Sequence, residues 1–173
     1  MPKMSTHKEE NNTLWSDRWN LFCDASINLR YYRKREWFFD KCEKTCNLIA
    51  LMGGSAVIGN LTKHSLLVGT LIALAGAAPL VFDLSGQRTL FRNLISKMME
   101  VLCDIECHNN LDNITTDWIE QTKRKMNSIE ASEPPSLRTL VRICEAEFFD
   151  LIKHEHAIKP VGRWRRFTAH FGG

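Results

Sequence analysis

Apolar positions along this chain follow three regimes. From Leu14 to Tyr32 they recur at helical intervals, as Trp15, Trp19, Phe22, Leu29 and Tyr32, which predicts one apolar stripe on an otherwise polar helix. From Asn47 to Leu61 (NLIALMGGSAVIGNL) and from Leu66 to Phe82 (LLVGTLIALAGAAPLVF) they run together with no polar face. Beyond Asp83 the amphipathic pattern returns, first as Leu90, Leu94, Met98, Val101 or Leu102, and Ile105. Near the far end Leu137, Leu140, Val141, Cys144, Phe148 and Leu151 mark another helix. The fold class this predicts is all-α.

Local signals set the expected boundaries. Residues 1–12 are polar and read as a disordered lead-in, with a helix starting near Asn12 or Thr13 and Asp17 in its first turn, where the helix dipole favours an acid. No Pro or Gly interrupts Leu14 to Met52, so one long helix is expected to run into the first apolar segment. Pro79 is expected to kink the second segment near its exit. Asn109 and Asn110 suggest a break before a weakly periodic stretch, Asn113 to Ser128, that carries Ile114 and Trp118. Glu133-Pro-Pro-Ser136 stops that stretch, and Ser136 is the expected N-cap of the last helix.

Charge sharpens the picture because it is segregated. Lys63 is the one Asp, Glu, Lys or Arg side chain between Thr45 and Phe82, although 25% of the chain is charged. A bilayer core of roughly 30 Å needs about 20 apolar residues, with a lower limit near 17. The second segment meets that limit; the first does so only with Thr45, Cys46 and Thr62 included. Arg30, Arg33, Lys34, Arg35, Lys41 and Lys44 precede the pair of segments, and Arg88, Arg92 and Lys97 follow it. By the positive-inside rule both termini lie in the cytoplasm. Trp37, Phe38 and Phe39 stand at the same boundary, where Trp favours the headgroup level, so Arg35, Trp37, Phe38 and Arg88 are the expected membrane-interface residues.

The expected architecture is a two-helix transmembrane antiparallel hairpin over residues 13–108, with spans at about 45–62 and 64–83 and long cytoplasmic extensions. Cytoplasmic helices at 113–158 and a basic aromatic tail at 159–173 complete it. The rival architecture is a buried hairpin inside a soluble helical bundle that binds protein.

If the turn falls between Lys63 and His64, residues facing each other sum to about 127 in number. Gly54 then faces Ala73, Ala50 faces Ala77, and Ile58 faces Gly69. Ala50 with Gly54, Ser55 with Gly59, and Gly69 with Ala73 and Ala77 are small residues four apart, the spacing that lets helices pack closely in lipid. The same register sets Asp40 beside Arg88 and Glu36 near Arg92, and less favourably Arg35 against Arg92.

Candidate chemistry is sparse. Cys42 and Cys46, and Cys103 and Cys107 with His108, have ligand-like spacing, but the register separates the two pairs by about 27 Å along a helix. Cys23 falls beside Cys103, yet known small metal modules space their ligands more tightly, so packed thiols are expected and no metal or cofactor. His154 and His156 are two apart and do not share a helical face. No phosphate loop or nucleophile elbow is present, and no enzymatic activity is expected. A net charge of +3 without a nucleic-acid module excludes nucleic acid as an expected partner. Arg163, Trp164, Arg165, Arg166 and Phe167 form the sharpest local cluster, suited to anionic headgroups or to a solvated tail.

The helix FCDASINLRYYRKREWFFDK, the spans GGSAVIGN and GTLIALAGAAPLVF, and the returning helix GQRTLFRNLISKMMEVLCDIE together resemble the SLATT type. These are bacterial two-transmembrane effector domains found beside nucleotide-signalling and ligand-sensing genes, and the likeness covers roughly Leu14 to Glu106. It implies an oligomer in the bacterial inner membrane that perturbs or permeabilises the bilayer when a signalling or sensor partner reports infection, in a defence or mobile-element setting. It also implies that Gly54, Ser55, Gly59, Gly69 and Ala73 mediate packing or assembly. The chain departs from that type in its extra helices after Ile105 and in lacking a fused sensor. Other functional classes open to it are a non-toxic membrane adaptor or superinfection-exclusion factor, and a phage holin.

Overall fold

In the computed structural model, residues 3–58, 65–110 and 113–152 are described, with side chains over 11–52, 69–70, 72–110 and 113–152. Every regular element among them is a helix: α1 (Lys3–Ile58), α2 (Ser65–Val81), α3 (Leu84–Cys107), α4 (Thr116–Glu130) and α5 (Arg138–Leu151). α1 begins at Lys3, so residues 3–12 are helical rather than a disordered lead-in, and Asp17 lies well past the first turn. Nothing in that stretch is a Gly or Pro that would stop a helix.

The chain divides into two compact units, Met1–Arg33 with Asn93–Gly173, and Lys34–Arg92. In the first, α3 presents Leu94, Met98, Val101 and Ile105 to the core, α4 presents Ile119, Thr122, Met126 and Ile129, and α5 presents Leu140, Ile143, Cys144 and Phe148. Each set follows the helical period, so each helix buries a single face.

α1 behaves differently. Leu21, Cys23, Ala25, Ile27, Leu29, Tyr31 and Tyr32 are all buried, which no single stripe accommodates, whereas Trp15 and Trp19 are 44% and 39% exposed. The cause is that three other helices reach it. Arg18 donates to the carbonyls of Ile105 (2.9 Å) and His108 (2.6 Å) at the end of α3. Asn28 donates to Glu130 Oε1 of α4 at 2.7 Å, and the Arg30 guanidinium lies 5.7 Å from the Phe148 ring of α5. A helix contacted from three directions buries more than one face, and the expected stripe of Trp15, Trp19 and Phe22 is thereby corrected.

The junctions in this unit are also specific. Arg18 satisfies carbonyls that the end of α3 leaves without helical partners. The His108 ring then stacks on Trp118 of α4 at 4.5 Å. Thr115 caps α4 by accepting from the Trp118 N–H at 3.2 Å. At α5 the N-cap is Leu137, not Ser136, and its N–H donates to the Tyr31 hydroxyl of α1 at 3.2 Å. A side chain from a distant helix thus takes up a donor at the point where a local cap was expected.

In the second unit the end of α2 and the start of α3 meet at Asp83, whose φ of 43° lies in the left-handed region. That residue stops α2, and its Oδ1 accepts from the Gly86 N–H at 3.2 Å to open α3. A Cβ at Gly86 would collide with the Asp83 carboxylate, so glycine there leaves room for the cap. Pro79 lies inside α2 and removes one backbone donor from it.

Candidate membrane-facing surface

Within the Lys34–Arg92 unit, an aromatic layer and a charged layer can be built from the residues upward. Phe39 of α1 stacks on Phe91 of α3 at 5.7 Å, and both are buried. The Arg35 guanidinium lies 4.8 Å from the Phe39 ring and 5.4 Å from the Phe91 ring. The anticipated opposition of Arg35 and Arg92 is relieved in this way: Arg35 turns onto the rings, and Arg92 pairs with Glu36 at 3.0 Å.

Arg88 is the centre of the charged layer. Its guanidinium lies 3.1 Å from Glu43, 3.4 Å from Asp40 and 3.9 Å from Glu36, and Lys44 adds a 2.7 Å contact to Asp40. Both charge pairs that the register anticipates, Asp40 with Arg88 and Glu36 with Arg92, are present. The hydrogen bond from Lys44, aided by the Lys44, Arg88 and Lys41 charges, holds the Asp40 carboxyl below the ordinary carboxylate range. Arg35 and Arg88, expected at the membrane interface, therefore engage protein groups. Trp37 does stand outward at 57% exposure, with the Lys41 ammonium 5.8 Å from its ring, and Phe38 is half-buried.

Beyond this layer the surface turns apolar. Leu48, Ile49, Leu51 and Met52 of α1 are exposed, as are Leu74, Leu80 and Val81 of α2 and Phe82 after it. Leu80 reaches 84% exposure, and Leu51 and Val81 reach 75%. Ordinary soluble surfaces scatter such residues singly, and here they are concentrated in the two apolar segments.

The expected packing residues are only partly brought together. Ala50 is half-buried, Ala73 and Ala77 are exposed, and a Cβ at Gly69 would meet nothing within 4 Å. A tight seam through Gly69, Ala73 and Ala77 is therefore absent among the described residues. The surroundings of Gly54 and Ser55, all of Gly59, and Trp164, Arg165 and Arg166 lie outside what is described, as does the turn at Lys63 and His64. Among the described residues no helix is long and apolar enough to cross a membrane. α2 has 17 residues, and the apolar part of α1 begins only after Lys44.

The cysteines do not form a centre. Cys23 and Cys144 are buried, Cys42 and Cys46 half-buried, and Cys103 and Cys107 exposed. Burial, reinforced by the Asp24 charge, pushes the Cys23 thiol up; burial with Cys46 does the same to Cys42. Such thiols stay protonated and are weak nucleophiles and ligands. Among the described residues no three His, Cys, Asp or Glu side chains converge as a metal site would require.

Two functional features had escaped the sequence reading. Tyr32, expected there as one member of an apolar stripe, and its neighbour Tyr31 are buried and hold the α4–α5 turn; only their long-range contacts to Glu133 and Leu137 reveal this. Asp83 had no signal beyond being a turn-forming residue after an apolar run. Comparison of the chain with family models, with curated proteins and with solved structures gave no match.

Proposed function

We propose that residues 45–83 enter lipid as an antiparallel helical hairpin, making this chain an integral protein of a bacterial inner membrane with both termini cytoplasmic. In this reading it is a homo-oligomeric, membrane-perturbing or pore-forming effector of a defence or mobile-element system, with a signalling or sensor protein as partner. The observation that carries it is the band of exposed apolar side chains, Leu48, Leu51, Met52, Leu74, Leu80, Val81 and Phe82, flanking a stretch whose one charge is Lys63. Water penalises such a band by about 25 cal/mol per Å² of apolar surface, and lipid does not. The ion pairs around Arg88 and the exposed Trp37 are suited to the adjoining headgroup level.

The segments are short for the task. α2, at 17 residues, is about 25 Å long against a hydrocarbon core of about 30 Å. A short span is accommodated by local thinning of the bilayer or by oligomerisation, and both suit a protein that perturbs membranes. One hairpin cannot enclose a pore, so the effector role requires several copies.

A second reading, a non-toxic membrane-anchored adaptor or exclusion factor, is favoured by the size of the packed unit built from α1, α3, α4 and α5, which offers a platform for a partner. Induced expression with a membrane-potential dye separates the two. Depolarisation that tracks induction supports the effector, and an unchanged potential at high membrane levels leaves the adaptor.

A further inference from the structure

A groove of about 620 Å³ lies among α1, α4 and α5, wholly within the first unit. Its floor is apolar and buried, with Leu21 and Ile27 of α1 and Ile119 of α4. Trp19 and the half-buried Phe149 give it aromatic walls. The rim is polar: Asp17, Asn20 and Asp24 of α1 are exposed along it, and Lys123 of α4 is its base. We infer that this groove binds a small organic amine, with one protonated nitrogen carried on an apolar, ring-containing body. The inference is independent of the lipid reading.

Charge sets the sign of the ligand. Two acids against one base leave the groove with one negative charge in excess. Asp17, Asn20 and Asp24 recur at helical spacing and so share one face of α1. None of the three side chains has a hydrogen bond or a salt bridge among the described residues. Burial pushes the Asp24 carboxyl above its ordinary value, and the Lys123 charge pulls it only part of the way back. A carboxylate that has lost water without gaining a donor is stabilised by a cation brought beside it. An ammonium group carries three donors, which suit the acceptors of Asp24, of Asn20 one turn earlier and of Asp17. Trp19 adds a ring face that also favours a cation. Size sets the rest. The volume falls within the range of about 300–1,000 Å³ found for small-molecule sites and far exceeds a bare ammonium, so an apolar body fills it against Ile119 and Phe149. Lys123 fixes the valence by repelling a second positive charge, which disfavours polyamines, and the two acids reject carboxylate ligands.

The test titrates the full chain, in phosphatidylcholine nanodiscs, with naphthylethylamine and with naphthylacetate, which carries the same rings and the opposite charge. The readout is the nuclear magnetic resonance shift of the Trp19 indole N–H. The amine should move it saturably, and the acid should leave it in place. Asp24→Asn keeps the shape and removes the charge, so it should weaken amine binding about fivefold, as loss of an exposed ion pair would. Lys123→Met removes the opposing charge and should tighten binding by a similar factor, a gain that a misfolded variant could not produce. A shift that does not saturate and is shared by amine and acid, as partition into lipid gives, would overturn the proposal. So would an affinity unchanged by either substitution.

Discussion

Tyr32 of α1 donates its hydroxyl hydrogen to Glu133 Oε2, just beyond the end of α4, at 3.1 Å across 101 positions of sequence. The ring is fully buried and Glu133 is half-buried, so the bond is partly shielded from water. Burial first, then the Glu133 charge and hydrogen bond, push the phenol well above its ordinary value.

Tyr32→Phe should therefore cost about 1.5–3 kcal/mol, the range for a hydrogen bond to a charged group, read as a lower thermal midpoint of the helical signal at neutral pH. The pH dependence has a definite sign. A folded-state phenol raised above the unfolded value contributes fully below about pH 10 and loses its contribution as pH rises beyond it. Wild type should accordingly lose stability in that alkaline window more steeply than the Phe variant. Equal slopes would contradict the role given to Tyr32.

The helix starts make a contrasting set. Thr115→Ala removes a true cap and should cost about 1 kcal/mol, whereas Ser136→Ala should change stability by less than about 0.5 kcal/mol because Ser136 caps nothing. Tyr31→Phe should cost about 1 kcal/mol, since the Leu137 N–H loses its acceptor. Chemical-denaturant midpoints of the three variants give the ranking directly; a Ser136 variant as damaging as Thr115→Ala would refute this assignment of the α5 start.

At the α2–α3 corner, Asp83→Asn should be tolerated because Asn also adopts positive φ and can accept from Gly86. Asp83→Val loses the cap and places a β-branched residue in the left-handed region, costing about 2 kcal/mol. Gly86→Ala should behave like a milder version, since its methyl pushes the Asp83 carboxylate off the N–H. Amide exchange at Gly86 and Gln87 would register the effect, speeding in the Val and Ala variants and staying slow with Asn.

Acid should loosen the Arg88 cluster. A carboxyl held below its ordinary value stabilises the fold fully above the unfolded value near pH 4 and loses that contribution as pH falls through the lower folded value. The Asp40 carboxylate carbon resonance should thus titrate below about pH 4, and Lys44→Met should move it back upward because the Lys44 hydrogen bond does most to hold it down. A resonance unmoved by Lys44→Met would show that the contact is not populated in solution.

What could be read from sequence was whatever obeyed one period or one register. Met98, Val101 and Ile105 on α3, and Leu140, Cys144 and Phe148 on α5, are buried as their spacing predicts. The Asp40–Arg88 and Glu36–Arg92 pairs follow from counting back from a turn at Lys63. What could not be read depended on neighbours distant in sequence. Trp15 and Trp19 look like core until α3, α4 and α5 are seen to reach other parts of α1. Ser136 looks like a cap until Tyr31 is found in its place. Arg35 looks like a headgroup ligand until Phe39 and Phe91 supply a face for it. Leu151, periodic with Phe148, proves 65% exposed because α5 ends there.

The central claim is that Leu51 and Leu80 face lipid and not water, and fractionation of membranes from cells making the full chain tests it most directly. Wild type should stay in the pellet through an alkaline carbonate wash and come out only with detergent. Leu51→Arg with Leu80→Arg, each costing about 2.5–3.5 kcal/mol within a bilayer, should shift much of the protein into the wash. Wild-type protein that washes off without detergent, at the same level as the double variant, would contradict the account.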